Sequence, residues 1–137
     1  MYQEEIDLVN FAKKHKIKLR IDDVFVQKHP LIDEDTTFYH IKISRGRKSF
    51  VVVRNPLSFG DENGLFTQEE LTAGVLTSLP RFEPISFEDY YRDCCGEENT
   101  IPREKVKKWH ETEMWEYNQV LRLFSDILDE LIEIISG

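Results

Sequence analysis

The chain has little cysteine, and what it has is badly placed for chemistry. Cys94 and Cys95 are neighbours. They cannot staple a fold in the usual way, and they lack the two-residue spacer of redox or zinc pairs. Two buried or half-buried thiols are expected. Long hydrophobic runs are also missing: none approaches the roughly 18 residues of a membrane span. The first residues, Met1-Tyr2-Gln3-Glu4-Glu5, are acidic where a secretory leader would be apolar. The expected location is the cytoplasm of the cell that makes it.

Catalytic signatures are equally scarce. The sequence contains no Gly-x-Ser-x-Gly elbow, phosphate loop or dinucleotide fingerprint. His110-Glu111-Thr112-Glu113-Met114 starts like a zinc-protease helix. That helix needs a second histidine four residues on, so that both imidazoles face one metal, and Met114 stands there. Asp61-Glu62-Asn63-Gly64 lacks the spaced acids of a calcium loop and reads as a turn. No catalytic residue, cofactor site or metal site is expected, and the chain is read as a non-enzyme.

What is present is a globular composition. Its 137 residues are 40% hydrophobic and 12% aromatic, enough for one core and too rich for disorder. A single domain over 1–137 is expected. The net charge of −8 is uneven. Residues 1–54 hold 11 Lys and Arg against 8 Asp and Glu, a balance of +3. Residues 55–137 hold 7 against 18, a balance of −11.

The last quarter organises the rest. From Pro102 to Ile135 there is no internal glycine or proline. Val106, Tyr117, Val120, Phe124, Ile127, Leu131 and Ile134 form one row, and Met114, Leu121, Leu128 and Ile135 form another at seven-residue spacing. Both rows lie on one side of a helix. A straight helix of 34 residues would run about 51 Å, against a radius of gyration of about 14 Å for a compact chain of this size. It must break, best near Ser125-Asp126, or meet a second copy or a partner. Phe124, Ile127, Leu128 and Leu131 are expected core residues.

Upstream, residues 3–15 read as an amphipathic helix burying Ile6 and Val9, with Leu8 and Ala12. Ile17, Leu19 and Ile21 alternate with Lys18 and Arg20 as a strand. Residues 24–27 either extend it or form a second short strand. Residues 38–44 and 49–53 form a hairpin around Arg45-Gly46-Arg47. Thr67-Gln68-Glu69-Glu70 is a capping box opening a helix that stops before Pro80. Ser86 opens another short helix, with Gly96 as its C-terminal cap. The fold class is α+β: an N-terminal helix, a three-stranded antiparallel sheet, two short helices and a long C-terminal helix.

Several of these segments share a pattern. Phe38-Tyr39-His40-Ile41-Lys42-Ile43 precedes Arg45-Gly46-Arg47-Lys48, an apolar strand and a glycine-containing loop. Leu71, Val75, Leu76 and Leu79 follow on one helix, then Phe87-Glu88-Asp89-Tyr90, Gly96 and Leu121-Arg122-Leu123-Phe124. This order, over roughly residues 36–130, resembles small bacteriophage- and prophage-encoded proteins with no assigned activity. The chain departs from them at Tyr91, where they have cysteine, at Gly96, which comes one residue later, and at residues 97–100, which replace a Tyr-Asp turn. The resemblance implies a phage or prophage accessory gene.

Two functional expectations follow. The first is a non-catalytic acidic binding module that inhibits a host nucleic-acid-handling or defence protein, in the manner of an anti-CRISPR acting on a CRISPR effector. Its partner-binding residues would be Glu97, Glu98, Glu104, Glu111 and Glu116, facing a basic groove. No direct DNA binding and no membrane contact are expected of it, and a homodimer through the C-terminal helix is open. The alternative is a nucleic-acid-binding or enzymatic domain using His40 and the basic hairpin of Arg45, Arg47, Lys48 and Arg54.

Overall fold

The computed structural model describes residues 2–28, 34–55, 65–81, 85–95 and 101–137, the side chains of Cys94 and Cys95 excepted. The expectations at 61–64 and at Gly96, Glu97 and Glu98 lie outside the described residues. The fold is α+β. Its elements are α1 (Gln3–Lys14), β1 (Ile17–Lys28), β2 (Asp35–Arg45), β3 (Lys48–Arg54), α2 (Gln68–Ser78), α3 (Phe87–Cys95), α4 (Arg103–Phe124) and α5 (Leu128–Ser136). The chain divides into two compact units, residues 1–78 with 126–137, and residues 79–125. Among the described residues, no helix is long and apolar enough to cross a membrane.

The first unit is built on one antiparallel sheet in the order β1-β2-β3. Alternation puts Ile17 and Leu19 of β1, Ile41 and Ile43 of β2, and Phe50 and Val52 of β3 on one buried face. The helical residues of this core include Leu8, Phe11 and Ala12 of α1, Leu71, Ala73, Val75 and Leu76 of α2, and Leu131 of α5. The α1 stripe therefore runs through Leu8, Phe11 and Ala12 with spacings of three and four. Ile6, expected inside, is exposed, Val9 is half-buried, and Phe11 takes the central place.

Local chemistry fixes the boundaries. Lys16 has φ 57° and ends α1 in the left-handed region, a place usually given to glycine. Gly46 has φ 63° in the two-residue turn between Arg45 and Lys48, whose twist suits a hairpin. The capping box is reciprocal. The Glu70 amide donates to Thr67 Oγ1 at 3.1 Å, and the Thr67 amide donates to Glu70 Oε1 at 3.0 Å.

β1 is one long strand with an extra residue, because Ile21 pairs with Ile41 while Asp23 pairs with His40. The bulge at Asp22 shifts side-chain parity. Before it, Ile17 and Leu19 point to the core; after it, Asp23 and Phe25 point to the other face.

The C-terminal run breaks where the length argument placed it. Ile127, with φ −127° and ψ 5°, leaves helical geometry, and residues 125–127 form a turn. The Asp126 carboxylate accepts two bonds from the Arg45 guanidinium, at 2.6 and 2.9 Å. Glu130 accepts from Lys14 Nζ at 2.9 Å and bonds His15 Nε2 at 2.7 Å, which ties α5 to α1. Phe124, Ile127 and Leu131 are buried as expected, but Leu128 is only half-buried. Met114, Leu121 and Ile135 share its half-buried state, so no member of the seven-residue row is fully buried. Leu123, off the expected stripe, is buried.

The second unit contains α3 and α4. Ser86 Oγ accepts from the Asp89 amide at 3.2 Å and caps α3. The Arg103 guanidinium pairs with Glu88 and lies over the rings of Phe87 and Tyr91, 4.8 and 5.1 Å from their centroids. His110 Nε2 donates to the Ile85 carbonyl at 2.8 Å, a structural use for the histidine of the rejected zinc motif.

Candidate functional site

One concave feature of the first unit is a cleft of about 680 Å³ at the hairpin end of the sheet. The last turns of α1, the start of β1, the β2–β3 turn and the first turns of α2 bound it. Among the described residues, six cationic side chains line it, Lys13, Lys18, Arg20, Lys42, Arg47 and Lys48, and Glu69 is the one carboxylate. Arg20 is paired with Asp22 at 2.9 Å. Lys13, Lys18, Lys42 and Arg47 make no ion pair among the described residues. Water-facing cations with no carboxylate partner are available to an anion, and their number sets the salt dependence of any binding.

The hairpin cations thus divide into two pairs. Arg47 and Lys48 line the cleft. Arg45 is spent on Asp126, and the bond between them raises the guanidinium pKa and lowers that of the carboxyl. Arg54 Nε donates to Ser78 Oγ at 2.9 Å and holds the end of α2. Glu130 is held below the ordinary carboxylate range by its bonds to Lys14 first and His15 second.

Beyond the cleft, none of the described residues on the non-core face of the sheet is buried. Pairing register puts Lys18 beside Ser44 and Ser49, then Arg20 beside Lys42 and Val51, then Asp23 beside His40 and Val53, then Phe25 beside Phe38. Lys18, Arg20, Val51 and Val53 are exposed, and Lys42, His40, Phe25 and Phe38 are half-buried. The rings of Phe25 and Phe38 stack at 5.7 Å with planes 22° apart. His40 lies 4.7 Å from Phe25. Its Nδ1 is 4.0 Å from Asp23 Oδ2, too long for the hydrogen bond that orients a general base. His40 thus joins the surface as an aromatic ring beside cations.

Sequence reasoning named His40, Arg47 and Lys48 as candidates, read Lys18 and Arg20 only as the polar side of a strand, and missed the aromatic row. Phe25 reaches His40 and Phe38 only because the bulge reverses parity after Asp22. The adjacent acids Asp22-Asp23 inside an apolar alternation were the available sign of that bulge.

The acidic candidates are dispersed. Glu97 and Glu98 lie outside the described residues, Glu104 and Glu111 are exposed on α4, and Glu116, expected to project, is 7% exposed. α4 carries five Lys and Arg against four Glu, so its charge is mixed. Among the described residues, no three His, Cys, Asp or Glu side chains group as metal ligands. No protein-family model, curated protein or solved structure matches the chain.

Proposed function

We propose that the chain is a non-catalytic nucleic-acid-binding protein that works through the open face and cleft of its sheet. The observation that carries this reading is the gathering of six cations on one cleft of a chain whose net charge is −8. Phosphate contacts supply most of the affinity in sequence-independent binding, and they need cations not already spent on carboxylates. Lys13, Lys18, Lys42 and Arg47 meet that condition among the described residues. A phage or prophage accessory protein, the setting that the resemblance implies, is part of the same proposal. The acidic-inhibitor expectation has less support, because Glu116 is buried and α4 interleaves cations with its acids.

The test is fluorescence anisotropy with a labelled 20-mer. With three phosphates neutralised on a single strand, affinity falls roughly twentyfold between 50 and 200 mM salt. The triple variant Lys18→Glu, Lys42→Glu, Arg47→Glu should stay folded, since none of the three is buried, and should lose most of the binding. Absence of binding in the wild type, or undiminished binding in the folded triple variant, would return the argument to Glu104 and Glu111 and a basic host protein.

A further inference from the structure

The aromatic row gives the surface a second property. Resting on the nucleic-acid reading above, we infer that the open face takes a single strand, with unstacked bases on Phe25, Phe38 and His40 and backbone phosphates on Lys42, Arg20 and the cleft beyond. Rows on one strand face repeat about every 6.8 Å, two residues at about 3.4 Å each. Ser44, Lys42, His40 and Phe38 therefore span about 20 Å along β2. Cations occupy one end of that track and aromatic rings the other.

Geometry separates this face from a duplex reader. A duplex keeps its bases stacked on each other, and rings lying on a sheet reach a base only when it is splayed out. β3 ends opposite Tyr39, so Phe25 and Phe38 sit on a two-stranded arm beyond it. On the arm's other face Val24 and Val26 are 53% and 65% exposed. That face also carries Tyr39, whose ring meets Phe66 at 5.7 Å, while Phe25, Phe38 and His40 lie together on the side that carries the cations. Base stacking on such rings tolerates any sequence, because every base has a π-face. The Asp23 carboxylate in the His40 row repels phosphate there and favours a base at that position.

The experiment is a cycle between protein and oligonucleotide. The probes are a single-stranded dT8, the matching U8, a duplex containing the same tract, and a dT8 with two central abasic sites. Wild-type protein should bind either single strand at least tenfold tighter than the duplex. The abasic sites, which keep every phosphate, should cost about tenfold for each base that stacks. Phe25→Leu and Phe38→Leu keep apolar bulk and remove the aromatic face. Each should lose about tenfold on dT8 and little further on the abasic strand. If a Leu variant fails to fold, by circular dichroism, the wild type against the abasic strand decides alone. Equal binding of duplex and single strand, or abasic binding equal to dT8, would overturn the inference while leaving the charge-dependent reading intact. Loss of all binding would remove both.

Discussion

Leu131 tests how α5 joins the first unit. It is 0% exposed, whereas Leu128, one turn earlier on the same helix, is half-buried. Leu→Ala removes three carbons, about 2.4 kcal/mol at roughly 0.8 per buried carbon. The cavity that remains raises the total to about 3–5 kcal/mol. Against a native stability on the order of 5–15 kcal/mol, Leu131→Ala gives up a large share. Leu128→Ala, which opens a partly wet site, should cost about 1 kcal/mol. Urea unfolding followed by far-ultraviolet circular dichroism measures both. With a slope of about 2 kcal/mol per molar, the Leu131→Ala midpoint falls by about 1.5–2.5 M and that of Leu128→Ala by about 0.5 M. Equal shifts, or a Leu131→Ala cost under about 0.5 kcal/mol, would refute the helix orientation. Tryptophan emission, which arises from Trp109 and Trp115 on α4, gives a second probe. Coincident midpoints by both probes mark one cooperative transition.

Two further predictions concern the ends of elements. Lys16→Gly should stabilise the chain by about 0.5–1 kcal/mol, because the left-handed conformation at Lys16 strains a residue with a Cβ; thermal melting should rise by about 2–4 °C, and a fall would contradict it. The second is a pH dependence. Asp126 and Glu130 have pKa values lowered in the folded chain, the first by Arg45 and the second by Lys14 and then His15. Their contribution is present above the ordinary carboxylate range, about pH 4, and is lost as pH falls through their folded values. Asp126→Asn with Glu130→Gln should therefore melt lower than wild type at pH 7, and the gap should close below about pH 4. A gap that persists at pH 2 would mean that these carboxylates act by something other than charge.

Much of the architecture was legible because its signals are local. The hairpin around Gly46, the capping box at Thr67 and the apolar alternation of β1 each state their own geometry. The break at 125–127 came from a length argument that needs no tertiary information. The misreadings share a cause. Ile6 against Phe11 on α1, the half-buried Leu128 on α5 and the buried Leu123 on α4 each turn on which face of a helix is covered. Periodicity fixes that a stripe exists; its angular position depends on the partner, which the sequence does not display. The candidate site was half legible for a related reason. Lys18, Arg20 and Lys42 alternate in plain view, while Arg45 and Arg54 look equally available until Asp126 and Ser78 claim them.

A net charge of −8 is a poor guide to what such a chain touches. Screening at physiological salt confines a surface charge to about 8 Å, so a phosphate in the cleft responds chiefly to the charges that line it, Lys13, Lys18, Lys42 and Arg47 with Glu69 among them. The negative balance of residues 55–137 still acts on diffusional approach, where the whole field counts. On the proposed reading this produces slow, salt-sensitive encounter with a polyanion and a contact held partly by stacking, which salt does not screen. Raising the salt should then weaken the cation-only contact to an abasic strand more, as a fraction of its binding free energy, than the contact to dT8, since stacking persists after the electrostatic part is screened. A cleft that bound by charge alone would lose the same fraction on both strands.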